Sequence, residues 1–213
     1  MTESTRLPCT VPVYDTWRRW KYAGSWTCVP SPPAIVQDVG MMNAWSARFI
    51  RTVFEALGTA VRPRSALLDG APGEPLGVPV LENPMVTEIA DTIEAQRQVV
   101  QTLDIELDLR VWYRAAAGAQ PVLAWLERGA MLWVSFGDAP SIALTVDHTL
   151  FIDGNLNGDS NRELFLMNQP ILAGMIAALS SRLGPVTEFE GLPSVTAAGY
   201  EPDDGERAGQ SER

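Results

Sequence analysis

Leu103-Asp104-Ile105-Glu106-Leu107-Asp108-Leu109-Arg110-Val111-Trp112-Tyr113 alternates apolar and polar residues almost without a break. A strand points successive side chains to opposite faces. Leu103, Ile105, Leu107, Leu109 and Val111 therefore line a face that packs on a core, and Asp104, Glu106, Asp108 and Arg110 share the other. The three carboxylates follow one another at about 6–7 Å along that polar face. The stretch predicts a sheet with one buried side and one side turned to solvent or to a partner.

Upstream of it, Asn83–Gln98 reads as a helix, with Pro84 in its first turn. Val86, Ile89 and Ile93 form its apolar stripe, continued by Gln96 or Val100. Before that, Thr59–Pro84 is rich in Pro and Gly and reads as a long loop. Within it, Val78–Leu81 could make a short edge strand, where Pro is tolerated. Asp38–Leu57 reads as a further helix, with Asp38 as N-cap and Gly58 as stop. Met41, Met42, Trp45, Phe49, Val53 and Leu57 recur on its apolar side.

Downstream, Pro121–Glu127 fits a strand or a short helix equally well, and Ala130–Phe136 reads as a central strand. Gly137–Pro140 is a turn. Ser141–Val146 and Thr149–Ile152 form two strands about Asp147-His148, or one continuous strand. Leu164–Leu183 is the third helix, kinked by Pro170 or beginning in earnest there, and Gly184-Pro185 ends it. Together these elements predict an α+β fold: an antiparallel meander of about four to six strands packed by about three helices, mainly on one face. One domain would span residues 1–190, with an irregular Pro/Trp-rich segment at 1–37 and the loop at 59–84. Residues 191–213 would form a disordered acidic tail.

Composition narrows the chemistry. The chain has 213 residues and a net charge of −10. Residues 1–64 carry +4 and residues 65–213 carry −14. So acidic a body repels nucleic acid and anionic membranes and attracts basic partners. The cluster Trp17-Arg18-Arg19-Trp20-Lys21-Tyr22 interleaves rings and cations, as a nucleic-acid or membrane-surface patch would. In so acidic a chain, the reading with Trp17 and Trp20 on the core and the cations outward is preferred. No apolar run approaches the roughly 20 residues of a bilayer span. Met1–Thr10 lacks the pattern of a secretory signal, so a cytoplasmic protein is expected.

Cys9 and Cys28 lack a CxxC partner and read as free thiols. His148 is the single histidine, which rules out zinc sites of several imidazoles within one chain. It would also have to serve any Ser/His/Asp or Cys/His mechanism, yet no GxSxG accompanies it, and it reads as a turn or core residue. Lys21 is the one lysine and the one Schiff-base candidate.

Two constellations could bind something. Asp104, Glu106 and Asp108 could receive Arg and Lys from a basic protein. They could also hold Mg²⁺ or Mn²⁺ for phosphoryl transfer, or form a plain solvated face. No Lys or His stands beside them, as a metal nuclease would require. The second constellation, Asp153–Leu164, resembles an EF-hand-type calcium loop. Asp153, Asn155 and Asn157 match its first three ligand positions, Gly158 its turn, and Asp159 adds a further oxygen. Leu164 stands where the bidentate Glu belongs, and Glu163 comes one residue early. A Gly/Asn-rich turn that caps the next helix explains the same residues.

No residue set forms an enzyme signature. The expectation is a non-catalytic, acidic cytoplasmic protein without a cofactor that docks a basic protein through Asp104, Glu106 and Asp108. An immunity or antitoxin-type inhibitor of a cationic bacterial toxin is one example. The alternatives are a divalent-metal phosphoesterase or nuclease-like enzyme using the same carboxylates with Mg²⁺, and a Ca²⁺-binding structural module using Asp153, Asn155, Asn157 and Asp159.

Overall fold

The computed structural model describes residues 10–11, 24–30, 38–71, 76–114, 119–137, 139–146, 162–191, 195–196 and 199–200. In chain order the elements are β1 (Thr10–Val11), β2 (Gly24–Cys28), α1 (Val39–Leu57), β3 (Val61–Asp69), β4 (Leu81–Glu82) and α2 (Val86–Glu94). They continue as β5 (Thr102–Tyr113), β6 (Val122–Ser135), β7 (Ser141–Val146), α3 (Arg162–Leu183), β8 (Val186–Gly191), β9 (Val195–Thr196) and β10 (Gly199–Tyr200). Seven strands lie in the order β4-β3-β5-β6-β7-β2-β8, each antiparallel to its neighbours. The short β1 adds to β6 in parallel, opposite Trp125 and Leu126. The fold is α+β, with a wider sheet than the four to six strands expected.

The founding strand reads as its alternation requires. Leu103, Ile105, Leu107, Leu109, Val111 and Tyr113 are buried. Their cross-strand partners on β6 continue the same layer through Ala124, Leu126, Ala130, Leu132 and Val134. On β7 and β2, Ile142, Leu144, Val146, Trp26 and Cys28 complete it. The buried faces of the three helices join these residues in one apolar core. Each fully buried Leu, Ile or Val adds about 1.5–3 kcal/mol, so this layer dominates the stability of the fold.

α1 begins where expected, with Asp38 Oδ1 accepting the Met41 N–H at 2.8 Å. Gly58, at φ 59°, carries the chain out of it in a conformation that suits glycine. Its buried stripe is broader than the sequence suggests and includes Asn43, Ser46, Ala47, Ile50 and Phe54, while Met41 is exposed. Asn43 is buried because it works as a connector. Its amide donates to the Gln96 and Gln98 carbonyls and accepts the Val100 N–H. This pins the turn after α2 and explains why α2 stops at Glu94, four residues short of expectation.

Further expectations meet the structure element by element. The Pro/Gly loop at 59–84 contains β3, a nine-residue strand beside β5. Pro63 is accommodated because the pairing slips between Pro63 and Ser65, where a ladder hydrogen bond is lost anyway. The edge strand falls at Leu81–Glu82. The choice left open at Pro121–Glu127 falls to strand: Val122 begins one continuous 14-residue strand, β6, that runs through Gly129. The irregular N-terminal segment holds β2, which lies inside the sheet between β7 and β8 with Trp26 buried. Beyond residue 190, β9 and β10 pair with each other within the expected tail.

α3 runs through Pro170 without a break. By length and composition it is the one helix among the described residues long and apolar enough to cross a membrane, although Asn168, Gln169 and Pro170 interrupt its apolar residues. Here its apolar side, Leu164, Phe165, Leu172, Met175, Ile176 and Leu179, packs into the core. Asn168, fully buried on α3, accepts the Trp112 N–H at 2.7 Å and donates to the Trp112 carbonyl at 3.0 Å. β3 ends opposite Leu109, so this amide satisfies β5 where its strand partner has stopped.

Candidate functional site

The face of the sheet opposite the helices is built from the even positions of β5 and their cross-strand partners. Arg62, Ser65, Leu67 and Asp69 come from β3, Trp125, Met131 and Trp133 from β6, and Ala143 and Thr145 from β7. Leu67 is 38%, Met131 47% and Trp133 41% exposed; Met131 and Trp133 lie two positions apart on β6, and Leu67 on β3 stands across Asp104 from Trp133. Large exposed apolar residues are informative when they gather on one face.

The three carboxylates singled out from the sequence do share this face, but they are not equivalent. Asp108 is buried, its side chain 2% exposed. Arg62 donates Nε to Asp108 Oδ2 at 2.9 Å, with Nη2 also at 2.9 Å, and Arg64 Nη1 lies 3.4 Å from Oδ1. The Arg128 backbone N–H donates to Oδ1 at 3.0 Å. Arg128 has φ 51°, unusual for a side-chain-bearing residue, in the bulge at Glu127–Gly129 where β6 slips against β5. Asp108 therefore holds a bulge and neutralises two guanidiniums. Burial disfavours the Arg64 charge, yet Asp108 and Glu127 together hold its pKa above the ordinary arginine value.

Glu106 is also occupied. Ser65 Oγ donates to its Oε2 at 3.0 Å, and Arg128 Nε lies 3.3 Å away. Arg62 further rests over Trp125, its Cζ 4.6 Å from the ring centroid. Asp104 differs. Its Oδ1 is buried without a hydrogen-bond partner, the only carboxylate oxygen among the described residues in that condition. Burial, reinforced by Asp69, pushes its pKa above the usual aspartate value. Its direct neighbours on the open face are Leu67 and Trp133.

This arrangement bears on chemistry. A divalent cation on Asp108 and Glu106 would meet guanidiniums already hydrogen-bonded to the same oxygens, and their positive charge opposes it. Among the described residues no three His, Cys, Asp or Glu side chains come together as a metal-ligand group. The loop candidates Asp153, Asn155, Asn157 and Asp159, with His148, Cys9 and the Trp17–Tyr22 cluster, lie outside the described residues. Glu163, beside that loop, is in the first turn of α3 and binds Arg114 at 2.6 Å. Cys28 is a free, buried thiol whose pKa burial pushes up, the opposite of an activated nucleophile.

A second concavity, about 620 Å³, opens between α1 and the end of α3 and is lined by Trp45, Arg48, Phe49, Thr52 and Arg182 among others. Its described lining has no carboxylate, thiol or imidazole to act as a base. Sequence reasoning missed Arg62 and Arg64 on Asp108, because they come from a strand read as loop, and Arg128 on Glu106, because it stands where β6 slips against β5. It also missed Met131 and Trp133, which stand in a run apolar on both faces. Their place opposite Glu106 and Asp104 was the available signal, hidden until the β5–β6 register was known. No protein-family model matches the chain, and neither a curated protein nor a solved structure matches it.

Proposed function

We propose that the protein is a non-catalytic binding protein that docks a basic polypeptide on the open face of its sheet. The reading rests on one observation: exposed Leu67, Met131 and Trp133 flank a carboxylate with an unpartnered oxygen, on the sheet face where no described helix packs. Exposed apolar side chains supply binding energy through area removed from water. The net charge of −10 steers cationic partners toward the molecule. Inhibition of a cationic toxin by an immunity or antitoxin-type protein in the cytoplasm is one role of this kind. Within the acidic row, the docking contact centres on Asp104, because Asp108 and Glu106 already serve the fold.

The test is recovery of a partner from the source organism's lysate by the wild-type chain and by Trp133→Asp, at low and at high salt. A basic protein recovered at low salt, weakened at high salt and lost with Trp133→Asp supports the reading. A partner held equally by both chains moves docking off this face.

A further inference from the structure

One part of the open face already shows how this sheet holds a guanidinium. Arg62 on β3 lies directly across from Asp108 on β5, hydrogen-bonds its carboxylate at 2.9 Å, and sits over the ring of Trp125 on β6. The same residue types recur farther along these two strands, where Asp104 on β5 stands directly opposite Trp133 on β6. On β3 the residue across from Asp104 is Leu67, so no arginine of the sheet reaches that position in register. Asp104 Oδ1 has no partner, the Trp133 ring is partly exposed, and Asp69 adds negative charge on the same side.

Building on the docking reading above, we propose that Asp104 and Trp133 form a seat for one arginine side chain of the bound polypeptide. Its guanidinium hydrogen-bonds Asp104 and lies against the indole of Trp133, as Arg62 does between Asp108 and Trp125. Leu67 packs against the aliphatic stem, which long cationic side chains lay along apolar surface. Arginine suits the seat better than lysine, because its planar, weakly hydrated group stacks on rings while it bonds the carboxylate.

The experiment is an NMR titration of the full chain, following the indole N–H of Trp133, assigned by its loss in Trp133→Phe. The probe is a tripeptide amide with a central arginine between two leucines. Matched peptides carry lysine or the neutral isostere citrulline at the centre. The proposal expects the arginine peptide to shift the Trp133 signal, the lysine peptide to bind more weakly, and citrulline to leave the signal in place. Asp104→Asn should weaken binding about tenfold, the loss of a single charge-assisted contact. Leu67→Arg supplies a guanidinium from β3 itself and should abolish binding, whereas Leu67→Gln should retain it.

If the arginine peptide shifts open-face signals equally in wild type, Asp104→Asn and Leu67→Arg, the seat is refuted while docking on this face stands. If arginine and lysine bind alike, the arginine preference is refuted. If no basic peptide moves any open-face signal, the docking reading fails and the seat with it.

Discussion

At the scale of single residues, two aspartates four positions apart have opposite roles. Asp108 is an internal counter-ion that accepts from Arg62, Arg64 and the strained Arg128 backbone. Asp108→Asn keeps the shape but removes the charge from several charge-assisted hydrogen bonds. It should cost about 2–3 kcal/mol, measured as a lower urea midpoint at unchanged slope. Asp104→Asn should do the reverse and raise the urea midpoint at neutral pH. The sign follows from linkage. A carboxyl whose pKa is raised in the fold holds its proton more tightly there than in the unfolded chain. Wild-type stability is then full below the ordinary aspartate pKa and falls as pH rises through the window up to the raised value. The advantage of Asp104→Asn should open across that window, stay constant above it, and be absent in acid. A carboxylate that weakens its own fold when charged, while its neighbours support theirs, is what a binding contact at Asp104 would look like.

At the scale of elements, the strand 103–113 was legible, because its alternation is strict and its apolar face is buried as read; Asp108, buried on the other face, is the exception. α1 was legible through its Asp38 cap and Gly58 stop. β3 was not. Arg62, Pro63 and Arg64 interrupt its alternation, and the reason they are tolerated, a slipped register and a carboxylate on the next strand, exists only in three dimensions. β6 was half legible, because the bulge at Glu127–Gly129 breaks its pattern into two apparent elements.

Gly129 is required there by close approach. A Cβ would come 2.9 Å from Leu126 Cδ2 and 3.1 Å from Leu109 Cγ. Gly129→Ala should therefore destabilise by about 1–3 kcal/mol through overpacking, read by thermal or urea unfolding. On α3, Asn168→Leu removes both partners of the Trp112 backbone inside the core. A loss of about 2–4 kcal/mol in urea unfolding is expected, because two backbone groups are left unsatisfied. Little change on either substitution would show that the β5–β6 slip or the α3–β5 contact is softer than described here.

At the scale of the whole molecule, one face of the sheet is spent on the core and no described helix packs on the other, in a chain whose net charge is −10. Alternation alone anticipated a row of carboxylates on one face of β5. It could not separate carboxylates that hold the sheet together from one with an unpartnered oxygen, since that depends on which arginines lie across from them. The candidate site was thus legible as a row and illegible in its division of labour.

The most direct test of docking on the open face is oxidative footprinting of the full chain, with and without the central-arginine peptide, at low salt. Met131 and Trp133 report on the open face, while Met41 and Met85, exposed at the starts of α1 and α2, serve as internal controls. The account expects protection of Met131 and Trp133, lost at high salt, with Met41 and Met85 oxidised as before. Protection of Met41 or Met85 with Met131 and Trp133 unchanged would contradict it.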